Sequence, residues 1–368
     1  MKEQAEKVED IKGSYFYKEW LKREGIPVIE DYYIKDVRTE KLEPWKRKGG
    51  FGVYLNLIGT EDTNDSYICE IPPGKSLKPQ RHLFEETIYV VNGNGSTSVW
   101  SEGGAKKTFE WQAGSLFAIP LNTWHQHFNG SGDRPARYFA VTDAPLVMNL
   151  FHNEDFIFDN NFAFQDRFDA RDDYFSGKGK AFATSSDFFS NKEKAFAARI
   201  WETNFIPDVR KMELLERNER GAGGRIRLFE IADNTMCAHM SEFPVGTYKK
   251  AHRHGPGAHV TIVKGTGYTL MWLEGSPLQR FDWREGSVIV PPDNWFHQHF
   301  NTGKEEAVYL AIRWNGRKHK MGKVQQTAKS VKEGGDQIEY KDEDPMVRKM
   351  FEDALAQGGV RSKMAQFF

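Results

Sequence analysis

The chain is poor in cysteine. Cys69 and Cys237 are the only two among 368 residues, which excludes a disulfide framework and predicts a reducing, cytoplasmic setting. Both lie in strand-like runs and read as small apolar residues. No apolar run approaches the roughly 18 residues of a membrane-spanning helix. The opening MKEQAEKVEDIKGSYF is charged and lacks the apolar core of a secretory leader. Charge of one sign is lacking too: 51 Lys and Arg stand against 52 Asp and Glu, and the basic residues form no long run. Neither nucleic acid nor a membrane is therefore an expected partner. No phosphate-cradling loop occurs, because GNGSTS and GTGY read as hairpin turns. What the chain does have is 14% aromatic residues and 33 glycines, the make-up of a β-rich globular protein.

The chain repeats itself. EIPPGKSLKPQRHLFEETIYVVNG, from Glu70, aligns without a gap to EFPVGTYKKAHRHGPGAHVTIVKG, from Glu242. GSLFAIPLNTWHQHFN, from Gly114, aligns to GSVIVPPDNWFHQHFN, from Gly286, and both pairs are 172 residues apart. Trp100 with Trp272, and Trp111 with Trp283, keep the same offset. A tandem duplication of one β-rich unit is the reading. Within each unit, YVVNGNGSTSVW and TIVKGTGYTLMW read as hairpins. GSLFAIP and GSVIVPP read as strands stopped by proline, and ARYFAVTD and AVYLAIRWN as closing strands. Many short strands of this kind predict a closed barrel or jelly roll.

The organisation expected is an N-terminal arm (1–45), a first barrel (46–145), a connector (146–220), a second barrel (221–318) and a tail (319–368). The connector holds Phe151, Phe156, Phe158, Phe162, Phe164, Phe168 and Phe175, predicted to pack on barrel exteriors, and then a charged amphipathic stretch. In the tail, Asp344 caps, Pro345 opens and Gly358 closes a helix. Its apolar stripe is expected to be Met346, Met350, Phe351, Ala354 and Leu355. Barrel edges and this stripe predict a homo-oligomer.

The paired motifs resemble the cupin superfamily. In the first unit the motif positions are Gly74, Gln80, His82, Glu86 and Gly93, then Gly114, Pro120, Asn122, His125 and Asn129. In the second they are Gly246, His252, His254, Ala258 and Gly265, then Gly286, Pro292, Asn294, His297 and Asn301. Gln80 stands where a histidine is usual, Ala258 where a glutamate is, and Asn122 and Asn294 where a glycine is. The resemblance implies an all-β bicupin with two tandem jelly-roll barrels and a metal pocket. HRHGPGAHVTIVKG and WFHQHFN look most like the gentisate and salicylate ring-cleaving dioxygenases, which keep a three-histidine iron site. In that group an arginine follows soon after the small residue; here that position is Val260.

The residues themselves support metal chemistry. Alternate strand residues share a face, so His252 and His254 can enter the barrel while Arg253 points out, and His297 joins them from another strand. Three imidazoles suit Fe, Mn, Ni, Cu or Zn and leave open positions for catalysis. In the first barrel His82, Glu86 and His125, with Gln80 beside them, have the facial-triad composition. His259 is expected to point away from its site. His127 and His299 read as neighbours of the ligands or proton carriers, with His299 a catalytic candidate. Arg313 is a candidate for pairing an anionic substrate, and Trp272 for stacking on an aromatic one. The leading expectation is an Fe(II) dioxygenase that breaks a C–C bond of a small oxygenated molecule with O2. The alternatives are a redox-neutral isomerase or decarboxylase and a non-catalytic binding bicupin.

Overall fold

The computed structural model describes residues 16–60, 63–181, 197–255, 257–314, 316, 318–319 and 328–368. Part of the connector's amphipathic stretch (182–196) lies outside them. Each repeat folds into a large and a small antiparallel sheet. In the first, the large sheet runs Gly50–Leu55, Asp65–Ile71, Ala136–Thr142, Glu86–Asn92, Leu116–Ile119. The small one runs Trp124–Asn129, Asn94–Trp100, Lys107–Gln112. The second repeat copies this order with Arg225–Ile231, Cys237–Phe243, Ala307–Arg313, His259–Lys264, Val288–Ile289 and with Phe296–Asn301, Thr266–Trp272, Gln279–Arg284. Single bridges stitch the segment after the second strand to the small sheet: Ser76 to Phe128 and Gln80 to His125, Tyr248 to Phe300 and His252 to His297. The result is two tandem jelly rolls.

Two expectations change. The glycine turns are not hairpins. Glu86–Asn92 pairs with Ala136–Thr142 and Leu116–Ile119, whereas Asn94–Trp100 pairs in the other sheet. Gly93 and its counterpart Gly265 turn the corner between sheets at φ 84° and φ 92°. A Cβ on Gly93 would lie 2.8 Å from the Ala136 backbone, so glycine is required by space as well as by dihedral. The runs read as closing strands are also not edges: Ala136–Thr142 and Ala307–Arg313 lie in the middle of their sheets.

The duplication reaches further back than the two motifs. Tyr33–Ile34, ahead of the first barrel, pairs with Val288–Ile289 of the second. Phe205–Ile206, ahead of the second barrel, pairs with Leu116–Ile119 of the first. Each repeat thus lends a short strand to the other. Asp36 and Arg38 pack against Gly286, and Asp208 and Arg210 against Gly114. The large sheets also share one core, with Val53, Ile68, Phe139 and Val141 against Phe229, Met240, Leu310 and Ile312. The two barrels are therefore held by exchanged strands and a common apolar layer.

Flanking segments treat the barrels differently. Helix Phe16–Arg23 and helices Ala144–Phe151 and Glu154–Phe158 add Tyr17, Trp20, Leu21, Met148 and Ile157 to the first barrel's core. Phe168 and Phe175 join them, while Phe151, Phe156 and Phe162 are exposed. The tail helix Pro345–Gly358 is capped by Asp344 through the Met346 amide, and Gly359 rather than Gly358 takes the left-handed C-cap. Its buried side chains are Val347, Phe351 and Leu355, and Met346 is exposed. Met350 and Ala354 are partly buried against the same cluster, so of the expected stripe only Met346 is left out, and Val347 takes its place. This face covers Tyr248, Tyr268, Leu270 and Phe300 on the small sheet of the second barrel. Among the described residues no helix is long and apolar enough to cross a membrane.

Candidate metal centres and the cavity beside one of them

His252 lies on an extended segment that exchanges two backbone bonds with His297, at 3.1 and 2.9 Å. His254 follows two residues on. One ligand atom from each of the three rings lies within 4.8 Å of the others. The ring centroids are 4.3 Å apart for His252 and His297, and 4.8 Å for His254 and His297. His252 Nδ1 lies 3.0 Å from the Lys250 carbonyl and His297 Nδ1 3.3 Å from that of Trp295. A carbonyl only accepts, so both rings carry their proton on Nδ1 and turn a lone pair on Nε2 inward. His254 Nδ1 is buried with no partner among the described residues. Burial holds all three imidazoles in the neutral, ligating form, His297 at a pKa of about 4; His252 and His254 lie well below the usual range. Inward lone pairs, neutral rings and an orphaned nitrogen fit a divalent cation bound by nitrogen donors.

These rings open onto a cavity that is unusual for its charge. Arg217, Arg220, Lys249 and Arg313 line it, with His239, His299 and Tyr309. No Asp or Glu is among its lining residues. Arg313 Nε is buried without a partner among the described residues. His299 sits one strand step beyond His297. Trp283 Nε1 donates to Thr269 Oγ1 at 3.0 Å, and Thr269 Oγ1 lies 2.8 Å from His299 Nδ1. In the tautomer that accepts the Thr269 proton at Nδ1, His299 carries Nε2–H as a donor to the cavity. Sequence reasoning named Arg313 and His299 but missed Tyr309, which shares strand parity with Arg313. It also missed Lys249, Arg217 and Arg220, which come from segments with no strand signal.

Trp272 is not in this cavity. It stacks on Phe296 at 5.5 Å and lines a surface groove with Leu278, Val347 and Met350. Strand parity explains the correction: Met271 and Thr269 are in register with His297 and His299, so Trp272 shares the opposite face with Leu270 and Tyr268. His259 also turns away from the rings, pairing with Asn64 at 3.0 Å in the layer between the barrels.

The first barrel brings together His82, Glu86 and His125, again within 4.8 Å, but partners surround them. Glu86 lies 3.1 Å from His82, 3.6 Å from His125 and 3.8 Å from the Lys48 ammonium. It also accepts a short bond from Tyr67, to which Lys48 donates at 2.7 Å. Gln80 turns its amide nitrogen to His125 Nε2 at 3.1 Å, and Arg47 donates to its oxygen at 3.1 Å, which fixes that orientation. Burial raises the Glu86 pKa and lowers that of Lys48. Phe84 stacks on His82 at 3.8 Å and meets Phe158, which stacks on Trp20. The helical segments therefore cover this end. His127 repeats the relay, with Thr97 at 2.8 Å and Trp111 behind it.

Two jelly rolls in tandem, each with a cluster of ligating side chains inside, define a bicupin. Residues 67–142 match the cupin domain, and the second repeat copies the strand order of that segment. A stretch of 100 residues is 30% identical to a 5-aminosalicylate 1,2-dioxygenase from a Comamonas species. It spans 26% of this chain and 25% of that relative, about a quarter of its length. Two solved structures of oxalate decarboxylase, one from Bacillus subtilis, are similar at 14% identity and a TM-score of 0.49. One alignment covers 81% of this chain and 80% of that one, the other 78% of each.

Proposed function

We propose that this chain is a metal-dependent dioxygenase of small carboxylated, hydroxyl-bearing molecules, with its reactive centre in the second barrel. His252, His254 and His297 hold the metal, iron(II) in this reading. When bound, iron supplies a site where a chelating substrate and O2 meet and exchange electrons, so that a C–C bond breaks without an organic cofactor. One observation carries the proposal: three neutral imidazoles open onto a cavity lined by four cations and no carboxylate. Asp336 pairs with Arg220 from outside the lining at 3.6 Å, and the cations that face the cavity favour an anion within it. Arg313 pairs the substrate carboxylate, and the Nε2–H of His299 donates to an oxygen that gains negative charge during the reaction. The resemblance to a 5-aminosalicylate 1,2-dioxygenase supports an aromatic carboxylate as the first class to try. In the first barrel Lys48, Tyr67 and Gln80 satisfy the corresponding groups, and its role is structural.

The test is metal analysis of anaerobically purified protein beside His297→Ala and His125→Ala, followed by oxygen uptake with a panel of salicylates. Loss of about one iron per chain in His297→Ala alone, with uptake in the wild type, is expected. Loss in His125→Ala alone moves the centre to the first barrel. Metal without oxygen uptake leaves a redox-neutral lyase or isomerase, and absence of metal in the wild type leaves a binding protein.

A further inference from the structure

A second polar group lies wholly inside the second barrel, apart from the three rings. Lys249 Nζ donates to Tyr309 Oη at 3.1 Å and makes a short bond to Ser241 Oγ. Ser241 and Tyr309 face each other in register on adjacent strands. Lys249 and Tyr309 both line the cavity. Tyr309 shares its strand face with Arg313, and its ring is 5.2 Å from that of His299. The backbone fixes the lysine as well, since its amide donates to the His299 carbonyl at 3.0 Å.

The other charged or titratable groups that line the cavity with this pair are all basic, with Asp336 behind Arg220 at 3.6 Å. Arg217 and Arg220 come from the segment before the barrel, His239 from the Cys237–Phe243 strand at 5.9 Å from Tyr309, and His299 from the small sheet. No carboxylate is bonded to Lys249 among the described residues. A buried ammonium in basic surroundings holds its proton weakly, and a phenol beside it gives its own up more readily. Both directions are found: burial lowers the Lys249 pKa, and the ammonium draws Tyr309 below its ordinary value against the opposing effect of burial. The two groups are joined by a hydrogen bond along which a proton can pass, at a wall of the cavity the three rings open onto. Position and chemistry are those of a base.

We propose that the Lys249–Tyr309 pair is the proton acceptor for the hydroxyl of the substrate that docks against His252, His254 and His297. This rests on the metal-centre reading of the second barrel. The substrate O–H bond breaks. Its proton goes to Tyr309 Oη, or through it to Lys249 Nζ, and the oxygen keeps the electron pair as an oxyanion turned toward the three rings. No electron changes hands, and the proton remains beside the cavity to be returned to product. Ser241 is a positioning residue that holds the Lys249 nitrogen against Tyr309.

The probe is 4-nitrocatechol, a bidentate ligand whose visible absorbance distinguishes its neutral, singly and doubly ionised forms. It is added anaerobically at neutral pH to iron-loaded wild type, Tyr309→Phe, Lys249→Met and His297→Ala. The wild type is expected to bind it doubly ionised. Tyr309→Phe and Lys249→Met, with unchanged iron content, are expected to bind it singly ionised and about 10- to 100-fold more weakly, the loss of one charge-assisted bond. Doubly ionised probe on both iron-replete variants overturns the proposal. Loss of iron from both variants makes the pair a structural element and overturns it too. If only Tyr309→Phe loses iron, the Lys249→Met spectrum decides. A wild type that binds no probe, or binds it as well as His297→Ala does, overturns the metal-centre reading itself.

Discussion

The clearest consequence of the first barrel's closed cluster concerns Lys48 and Glu86. Their charged atoms are 3.8 Å apart, and both side chains are almost wholly buried. At an effective dielectric constant of about 20 this separation gives about 4 kcal/mol of attraction. Desolvation offsets much of it, so the pair contributes little net stability while intact. Breaking it is different. Lys48→Met leaves a carboxylate with only Tyr67 and the imidazoles, at a cost of about 3 kcal/mol. Glu86→Gln leaves an unpaired ammonium at a similar cost. The double variant removes both charges and is expected to recover about 2 kcal/mol relative to the sum of the singles. Because the chain has two barrels, a single global unfolding energy is ill defined. Native-state hydrogen exchange of the Glu86–Asn92 amides in chelator-treated protein reads the local value. Additive singles would refute the pairing. A Lys48→Met defect repaired by added metal, and repaired no longer once His125→Ala is introduced, would show that a cation rather than Lys48 neutralises this carboxylate.

Three further outcomes are expected from the same geometry. His259 is buried without a charged partner, and its pKa is depressed to about 3. The unfolded chain then binds the extra proton first, so stability falls as pH drops below about 6.5 and keeps falling until about 3. By pH 5 the loss from this group is about 2 kcal/mol. His259→Gln should flatten that acid limb in melting curves at matched pH, and an unchanged limb counts against the argument. Trp272→Ala should leave salicylate affinity within about 2-fold, whereas Arg313→Gln should weaken it by about 10- to 100-fold; titration calorimetry separates the two. On the tail helix, Phe351→Ala should cost about 3 to 4 kcal/mol and Met346→Ala less than about 0.5 kcal/mol, since only Phe351 is buried; exchange of the Thr266–Trp272 amides beneath the helix is the check.

What could be read from sequence was whatever is encoded by repetition and parity. A constant offset between two motifs is a property of the chain itself, so the duplication and the sets His252, His254, His297 and His82, Glu86, His125 are legible in the residues alone. Parity correctly turned His259 away from the rings, and would have supplied Tyr309 had it been extended from Arg313. It also argues against Trp272, whose face is settled by its register with Phe296. Long-range pairing was hidden. A glycine between two strands looks the same whether the chain folds back on itself or crosses to another sheet, and only the partners of Glu86–Asn92 distinguish the two. Tyr33–Ile34 and Phe205–Ile206 are too short to announce themselves, and their partners lie in the opposite repeat. Lys48, Arg217 and Arg220 carry no motif at all, and folding alone puts them beside the two clusters.

The two repeats thus treat the same constellation in opposite ways, and the difference between them is one of charge balance. The first keeps Glu86 and meets it from within, by Lys48 and Tyr67. The second has Ala258 at the matching place and gathers Arg217, Arg220, Lys249 and Arg313 around three neutral rings. A divalent cation on those rings adds positive charge to a wall that is already positive, so metal and wall oppose each other until an anion enters. The anion relieves both, and whatever free energy the metal contributes to anion binding the anion must return to metal binding. Metal affinity is therefore expected to rise about 10-fold or more, roughly 1.4 kcal/mol of coupling, when salicylate is present. The rise should shrink in Arg313→Gln and persist unchanged in the His125→Ala protein. Competition titrations of iron(II) or a redox-inert substitute, with and without salicylate, measure it directly. Equal affinities in the two titrations would mean that the cations of the wall do not act on the three-histidine centre.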